Sequence, residues 1–324
     1  MKPGKWTIAS YNRGIGDDIM LSGVARELRR QGRASRITIV TRYPSLFHNN
    51  PDIDRLVFNN AWPGEGFRRR LHHQLKRRNL ARNLFLPIYP FPLNDLHPLE
   101  YYYRDIGLDI GTAEIRAEMF LVTEELRWAR DLLGPGTWIA LHSTGKTRYT
   151  ANKNWGAERF TELCRLFRDM GLNVVQLGLQ DNPPVDASLD LRGKTTLRQA
   201  AAVIATCTMT VFQEGGLSHM SNAVATPCVV VCGGFSGRNW LYPDQIFAGA
   251  DIDCAPCNDP APCPKNLACM DMITPEDVFK LAATLLQQHT DRANPGTDRN
   301  FLLTRTPARP MVSTMRSTNG CTVS

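Results

Sequence analysis

Apolar positions along this chain follow two alternating rhythms. Short apolar runs such as WTIAS and RITIVT fit strands, and between them Ile19, Leu21, Val24, Ala25 and Leu28 recur at roughly helical spacing before Gly32. This predicts a βαβ unit whose loop leaves the carboxyl end of the first strand, where open α/β sheets bind ligands. TEELRWARDLLGPG predicts a helix with Thr123 at its N-cap, acids in its first turn and a stop at Gly134-Pro135-Gly136. A second series then alternates strands (TWIALH, NVVQLG, TMTVF, CVVVCG) with helices (AERFTELCRLFRDM closed by Gly171, TLRQAAAVIAT, LSHMSNAVA), and TPEDVFKLAATLLQQ supplies a last capped helix.

The pattern predicts an α/β protein with two Rossmann-like domains: residues 1–134 and residues 135–289, followed by a disordered tail, 290–324, rich in Thr, Arg, Pro, Asn and Ser. Segment 60–105 breaks the alternation. It is irregular, basic and then rich in Pro and Tyr, and a long insertion of that kind in a compact domain is usually functional, which makes it a candidate acceptor-binding region.

Composition changes the picture in three places. At 324 residues and 43% hydrophobic, the chain is large enough for two separate cores. No segment approaches the ~18 apolar residues that cross a bilayer, and the opening MKPGKWTIAS is too short an apolar run for a signal peptide, so a cytoplasmic chain is expected. Net charge +7 owes much to FRRRLHHQLKRRNLAR, residues 67 to 82. That run suits an anionic partner such as a membrane surface or phosphorylated glycan, with a solvated helix face as the alternative; no motif resembles a nucleic-acid module.

Four loops carry candidate chemistry. In GIGDDIM, Gly14 and Gly16 allow a tight turn that holds Asp17 at a helix start, where a phosphate-binding loop would want no negative charge. As a dinucleotide fingerprint the stretch fails, since Ile19 replaces the third glycine. Asp18 reads as a helix N-cap. In HSTGKTRYTANKNW, Ser143 and Thr144 can donate hydroxyls to phosphate oxygens, while Lys146, Arg148 and Lys153 can balance a diphosphate. In QEGGLSHMSNA, Gly215 and Gly216 open a helix and expose N–H groups to an anion, flanked by Glu214, which can accept from sugar hydroxyls, and His219. Finally CAPCNDPAPCPKNLAC, residues 254–269, places Cys254, Cys257, Cys263 and Cys269 within one loop, enough thiolates for a closed structural Zn or Fe site, with free thiols as the alternative.

Taken together, GIGDDIMLSGVARELRR, HSTGKTRYTANKNWGAERFTEL, DLRGKTTLRQAAAVIATCTMTVFQEGGLSHMSNAVATPCVVVCGG and CMDMITPEDV resemble glycosyltransferase family 9, the heptosyltransferases of lipopolysaccharide core assembly, over most of residues 5 to 288. The resemblance implies a GT-B fold, two Rossmann-like domains with parallel sheets facing across a cleft, and inverting transfer of a sugar from an ADP-heptose-like nucleotide donor without a catalytic metal or other cofactor. The first domain would take a glycan or lipid-linked acceptor and the second the nucleotide sugar, with the enzyme cytoplasmic or peripheral to the inner membrane. The family's general base corresponds to Asp17, its diphosphate contacts to Ser143, Thr144 and Lys153, and its donor loop to residues 214 to 219. This chain departs from the family in that loop: Glu214 stands where an aspartate is common, and the following hydroxyl residue is replaced by Gly215. Two alternatives remain beside surface-glycan transfer, a protein O-glycosyltransferase of the autotransporter-modifying type and a sugar-nucleotide-binding protein without turnover.

Overall fold

The computed structural model describes residues 3–9, 14–58, 84–85, 96–143, 150–235 and 237–291. The basic run 67–82, Thr144, Lys146, Arg148 and the expected tail beyond Asp291 lie outside the described residues.

The apolar runs become the strands of two sheets, those at the centre of the second buried on both faces. In the first sheet β1 (Gly4–Ala9) pairs with β2 (Ala34–Thr41), Ile8 opposite Ile39; β3 (Arg55–Phe58) extends β2 and β4 (Leu84–Phe85) flanks β1. The second sheet runs in the order β10-β9-β8-β5-β6-β7, built from β5 (Trp138–His142), β6 (Asn173–Gln176), β7 (Leu189–Asp190), β8 (Met209–Gln213), β9 (Cys228–Val231) and β10 (Gln245–Ala248). Pairing in the second sheet is parallel throughout the described residues. Parallel neighbours need crossovers, and helices on both faces then bury the strands, as at β8 and β9, where every position is buried.

The helices are α1 (Ile15–Arg30), α2 (Pro98–Asp105), α3 (Thr123–Leu133), α4 (Ala157–Asp169), α5 (Leu197–Thr206), α6 (Gly216–Ala223), α7 (Ala268–Asp271) and α8 (Pro275–Asp291). Local chemistry sets their ends. The Thr196 hydroxyl accepts from Gln199 N at 3.2 Å while Gln199 Oε1 accepts from Thr196 N at 2.9 Å, a reciprocal cap for α5. Gly171, at φ 73°, ends α4. Thr123 is the first helical residue of α3 and not its cap. Val122 holds the cap position, and its N–H donates to Glu125 Oε2 at 2.9 Å, the reach-back half of a capping box with no hydroxyl at the cap.

One apolar core spans the two sheets, and a second, around Ile139, Trp155, Phe167 and Val278, belongs to the second sheet alone. Ile8, Ile37 and Ile39 of the first sheet connect through Met20 and Val24 of α1 to Met220 and Ala223 of α6 and on to Phe212 and Val230 of the second sheet. Helix α1 is therefore buried along most of its length, which an amphipathic surface helix would not be. The connecting segment is tied to both helices: Glu118 N donates to Ser22 Oγ at 2.7 Å, Ala117 N to Asn222 Oδ1 at 2.9 Å and Met119 N to the Ala223 carbonyl at 2.9 Å. Helix α3, from the first half of the sequence, packs on α5 of the second. Arg198 secures that contact by a two-pronged pairing with Glu125 and a bond from Nη1 to the Ser45 carbonyl at 3.0 Å.

A buried ion-pair cluster adds to this clamp. Arg26 bonds Glu27 at 3.2 Å, approaches Glu118 at 3.4 Å and donates to the Glu114 carbonyl at 2.8 Å. Burial alone would raise the Glu27 carboxyl; the bonds from Arg30 and Arg26 outweigh it and leave its pKa lowered.

Gly23 of α1 sits against this clamp. A Cβ there would lie 2.5 Å from the Arg116 carbonyl oxygen and 3.1 Å from the Tyr103 hydroxyl. On a solvated helix Gly→Ala gains about 1 kcal/mol. Here the sign should reverse, and Gly23→Ala should destabilise by about 1–3 kcal/mol as the crowded backbone shifts. Urea unfolding measures it, and a gain in stability would contradict the close approach.

Candidate active site

Two helix starts meet between the sheets. Gly14 precedes α1 in an extended conformation, and a Cβ on it would lie 2.5 Å from Asp17 Oδ2, so the Asp17 carboxylate folds back over the first turn. A Cβ on Gly16 would enter the His219 ring, 2.4 Å from Cδ2, and one on Gly216 would lie 3.3 Å from Ile15 Cβ. Glycine at these positions lets the start of α1 and the start of α6 come into contact. Their positive dipole ends converge on the place where Asp17, Glu214 and His219 gather.

Asp18 takes a different path. It is wholly buried and accepts from the Thr41 hydroxyl at the end of β2, so it ties the helix to the sheet and does not cap the helix as its position in the sequence suggests.

Lys153 reaches the same place from the 3-10 turn Ala151–Lys153, which Thr150 caps by accepting from Asn152 N at 3.0 Å. Its ammonium pairs with the Glu214 carboxylate and lies 4.8 Å above the centre of the Phe235 ring, while its backbone carbonyl accepts from Gln213 Nε2. Phe235, Glu214 and His219 are all buried, so these charges act across little water. Glu214 Oε1 is 3.9 Å from His219 Nε2, and His219 Nδ1 lies 2.9 Å from the Tyr242 hydroxyl. Burial lowers the His219 pKa and Lys153 adds to the shift, against the opposing pull of Glu214 and Asp17.

A sequence model described as glycosyltransferase family 9 (heptosyltransferase) matches residues 62–237, more than half of the chain. The chain belongs to glycosyltransferase family 9. Solved structures agree on the fold. A family 9 glycosyltransferase from Veillonella parvula superposes with TM-score 0.66 at 17% identity, covering 89% of this chain and 99% of that one. The Escherichia coli ADP-heptose lipopolysaccharide heptosyltransferase II gives 0.62 at 17%, covering 88% and 99%. The iron-containing dodecameric heptosyltransferase TibC, in complex with ADP-D-beta-D-heptose, gives 0.62 at 15%, covering 89% and 78%. A search of curated protein sequences finds no significant match. The architecture is GT-B, as the resemblance in sequence implied. The family match includes Lys153, Glu214 and His219 but begins after Asp17 and ends before the cysteine loop.

Within this family 9 enzyme the expected residues divide. Asp17, Lys153, Glu214, Gly215, Gly216 and His219 come together. Ser143 is wholly buried, donates to the Pro183 carbonyl at 2.7 Å and accepts from Gln176 Nε2 at 3.0 Å, so its hydroxyl braces the turn after β6 instead of facing the junction. Thr144 lies outside the described residues.

The cysteine loop departs from the four-thiolate site its spacing predicts. Among the described residues no three His, Cys, Asp or Glu side chains converge as a metal-ligand set. Cys269 is buried with its sulfur accepting from Gly234 N at 3.0 Å, whereas Cys257 is exposed. The loop is pinned by backbone and amide bonds: Cys257 N donates to the Gly234 carbonyl, and Asn152 Nδ2 donates to the Asp259 and Ala261 carbonyls at 2.9 and 2.6 Å. Because Asn152 precedes Lys153, the loop supports the turn that carries the lysine.

Sequence reading missed His97, Tyr242 and Phe235; the places of Tyr242 and Phe235 follow only from packing. His97 caps α2 by accepting from Leu99 N at 3.1 Å, and its ring lies 4.7 Å from that of Tyr242. The pairing of a Pro at the next position with Glu100 three residues on was the available signal for that cap.

Buried histidines give the fold a pH dependence. Burial pushes His97 down to about 3 and His142 down to about 4, below the ~6.5 of an unfolded chain. The unfolded state therefore binds more protons in that interval, so stability is full above pH ~6.5 and falls as pH drops towards 4. Denaturant midpoints from pH 7.5 to 4.5 should show this fall. His97→Asn, which keeps a capping oxygen, should make the slope shallower.

Proposed function

We propose that this enzyme transfers a sugar, with a heptose as first candidate, from a nucleotide diphosphate donor to a hydroxyl of a lipopolysaccharide or related surface-glycan precursor, with inversion at the anomeric carbon. The observation that carries the reading is the junction of the two helix starts, which brings a carboxylate from the first domain to within reach of a lysine and a glycine-opened helix from the second. The basic run 67–82 would meet the anionic face of the inner membrane from the cytoplasm.

Asp17 is assigned as general base. As the acceptor oxygen attacks the anomeric carbon, its proton passes to the carboxylate and the bond to the diphosphate breaks. The departing charge falls to Lys153 and to the N–H groups at Gly215 and Gly216, held in advance where charge develops. Lys153 pairs with Glu214 in this structure, so a diphosphate would take over the ammonium and release Glu214 towards the hydroxyls of the donor sugar. That the similar TibC structure contains ADP-D-beta-D-heptose supports a donor of this class.

Asp17→Asn should leave donor affinity within a few-fold and reduce turnover by ~10²-fold or more, while Asp18→Asn, removed from the junction, should reduce it much less. Steady-state transfer with ADP-heptose and a panel of other nucleotide sugars measures both. Equal turnover in the two variants would remove Asp17 from the role of base. Lys153→Ala should weaken ADP more than AMP, since its charge is assigned to the diphosphate; titration calorimetry with the two nucleotides compares them, and equal losses would place the lysine elsewhere.

A further inference from the structure

Tyr242 lies outside the family match and outside every motif that marks the site, yet it touches the residue at the centre of the junction. Segment 239–245 lies between the two halves and is fixed to both. Towards the first half, Asn239 Nδ2 donates to the Leu96 carbonyl at 3.3 Å, and the His97 ring packs on Tyr242 at 4.7 Å. Towards α6, Gln245 Nε2 donates to the Ser218 carbonyl at 2.8 Å and Asn222 Nδ2 to Asp244 Oδ1 at 2.8 Å. Tyr242 is itself buried, with its N–H donating to Gln245 Oε1 at 3.2 Å. The phenol therefore has little freedom to leave His219 Nδ1, 2.9 Å away.

The other ring nitrogen faces negative charge. Nε2 of His219 is 3.9 Å from Glu214 Oε1, and a Cβ on Gly16, one residue before Asp17, would be 3.1 Å from Nε2. A neutral imidazole carries one N–H and one lone pair. A lone pair directed at carboxylates is repelled and an N–H is attracted, so the proton belongs on Nε2. Nδ1 is then the acceptor, and the Tyr242 hydroxyl is the donor that satisfies it. We propose that Tyr242 is a positioning residue that fixes His219 as the Nε2–H tautomer, so that a single imidazole N–H faces the Glu214 carboxylate 3.9 Å away, next to the helix start that carries Asp17.

Burial supports the neutral state of both partners, lowering the imidazole pKa and raising that of the phenol. The groups that bear on His219 are Asp17 of α1, Glu214 before α6, Lys153 of the 3-10 turn, His97 before α2 and Tyr242 itself. The consequence for turnover rests on the reading of Asp17 as base: an N–H held nearby orients the carboxylate that must accept the acceptor's proton. The tautomer does not rest on that reading.

Long-range proton–nitrogen NMR of histidine-labelled full-length protein tests the proposal directly, with His219 assigned by the signals missing from His219→Gln. The wild type should show a protonated Nε2 and a bonded, unprotonated Nδ1 at neutral pH. Tyr242→Phe should move Nδ1 towards the shift of an unbonded nitrogen and reduce kcat about fivefold, the effect of losing one neutral hydrogen bond, at little change in KM for the donor. In a His219→Gln background the same substitution should change kcat no further. A protonated Nδ1 in the wild type, or equal loss of kcat in both backgrounds, overturns the proposal. If Tyr242→Phe does not fold, the wild-type spectrum still decides. If the tautomer is as expected while Asp17→Asn retains full turnover, the base assignment fails and the positioning role stands.

Discussion

The contact between the start of α1 and the start of α6 is the constraint on which the rest of the molecule depends. Helices whose ends touch leave no room for side chains at the crossing, and a Cβ on Gly16 or Gly216 would meet His219 or Ile15. Because the approach is close, an acid from one sheet and the polar groups of the other occupy one small region. Because α1 is buried between the sheets, that region is framed by a continuous apolar core. The ties of segment 117–119 to Ser22, Asn222 and Ala223 hold the two helices in this relation.

Within that frame, burial decides the electrostatics. Lys153 and Glu214 satisfy one another at a place where either charge alone would cost several kcal/mol to bury. On the proposed reading, an arriving diphosphate would compete with a carboxylate already in place, and donor binding would be linked to the release of that acid. A glutamate is longer than the aspartate common in the family, and its carboxylate reaches both the lysine and the neighbourhood of His219 Nε2. The departure from the family pattern thus has a geometric consequence within the site itself.

The parts around the site are supports with distinct jobs. The cysteine loop braces the lysine turn through Asn152, the Ser143 hydroxyl braces the turn after β6, and segment 239–245 braces α6 through Tyr242, Asp244 and Gln245. Each is a network of directional bonds to backbone or side chain.

The chain's own pattern determined the strands of both sheets that carry long apolar runs, the capped helices α5 and α8, and the α/β class, since period and capping chemistry are local properties. The motifs also marked Asp17, Lys153 and the Glu214–His219 loop, because tight glycine turns at strand ends are written in consecutive residues. Tertiary structure decided the rest. It turned Asp18 from a cap into a strut to Thr41, directed the Ser143 hydroxyl inward, gave the cysteine loop no three-ligand metal arrangement among the described residues, and brought His97 and Tyr242 to a histidine 122 and 23 residues away in the chain. Two-residue strands such as β7 and contacts between distant segments leave no periodic trace, since what selects them is the space left by neighbours packed from elsewhere in the chain.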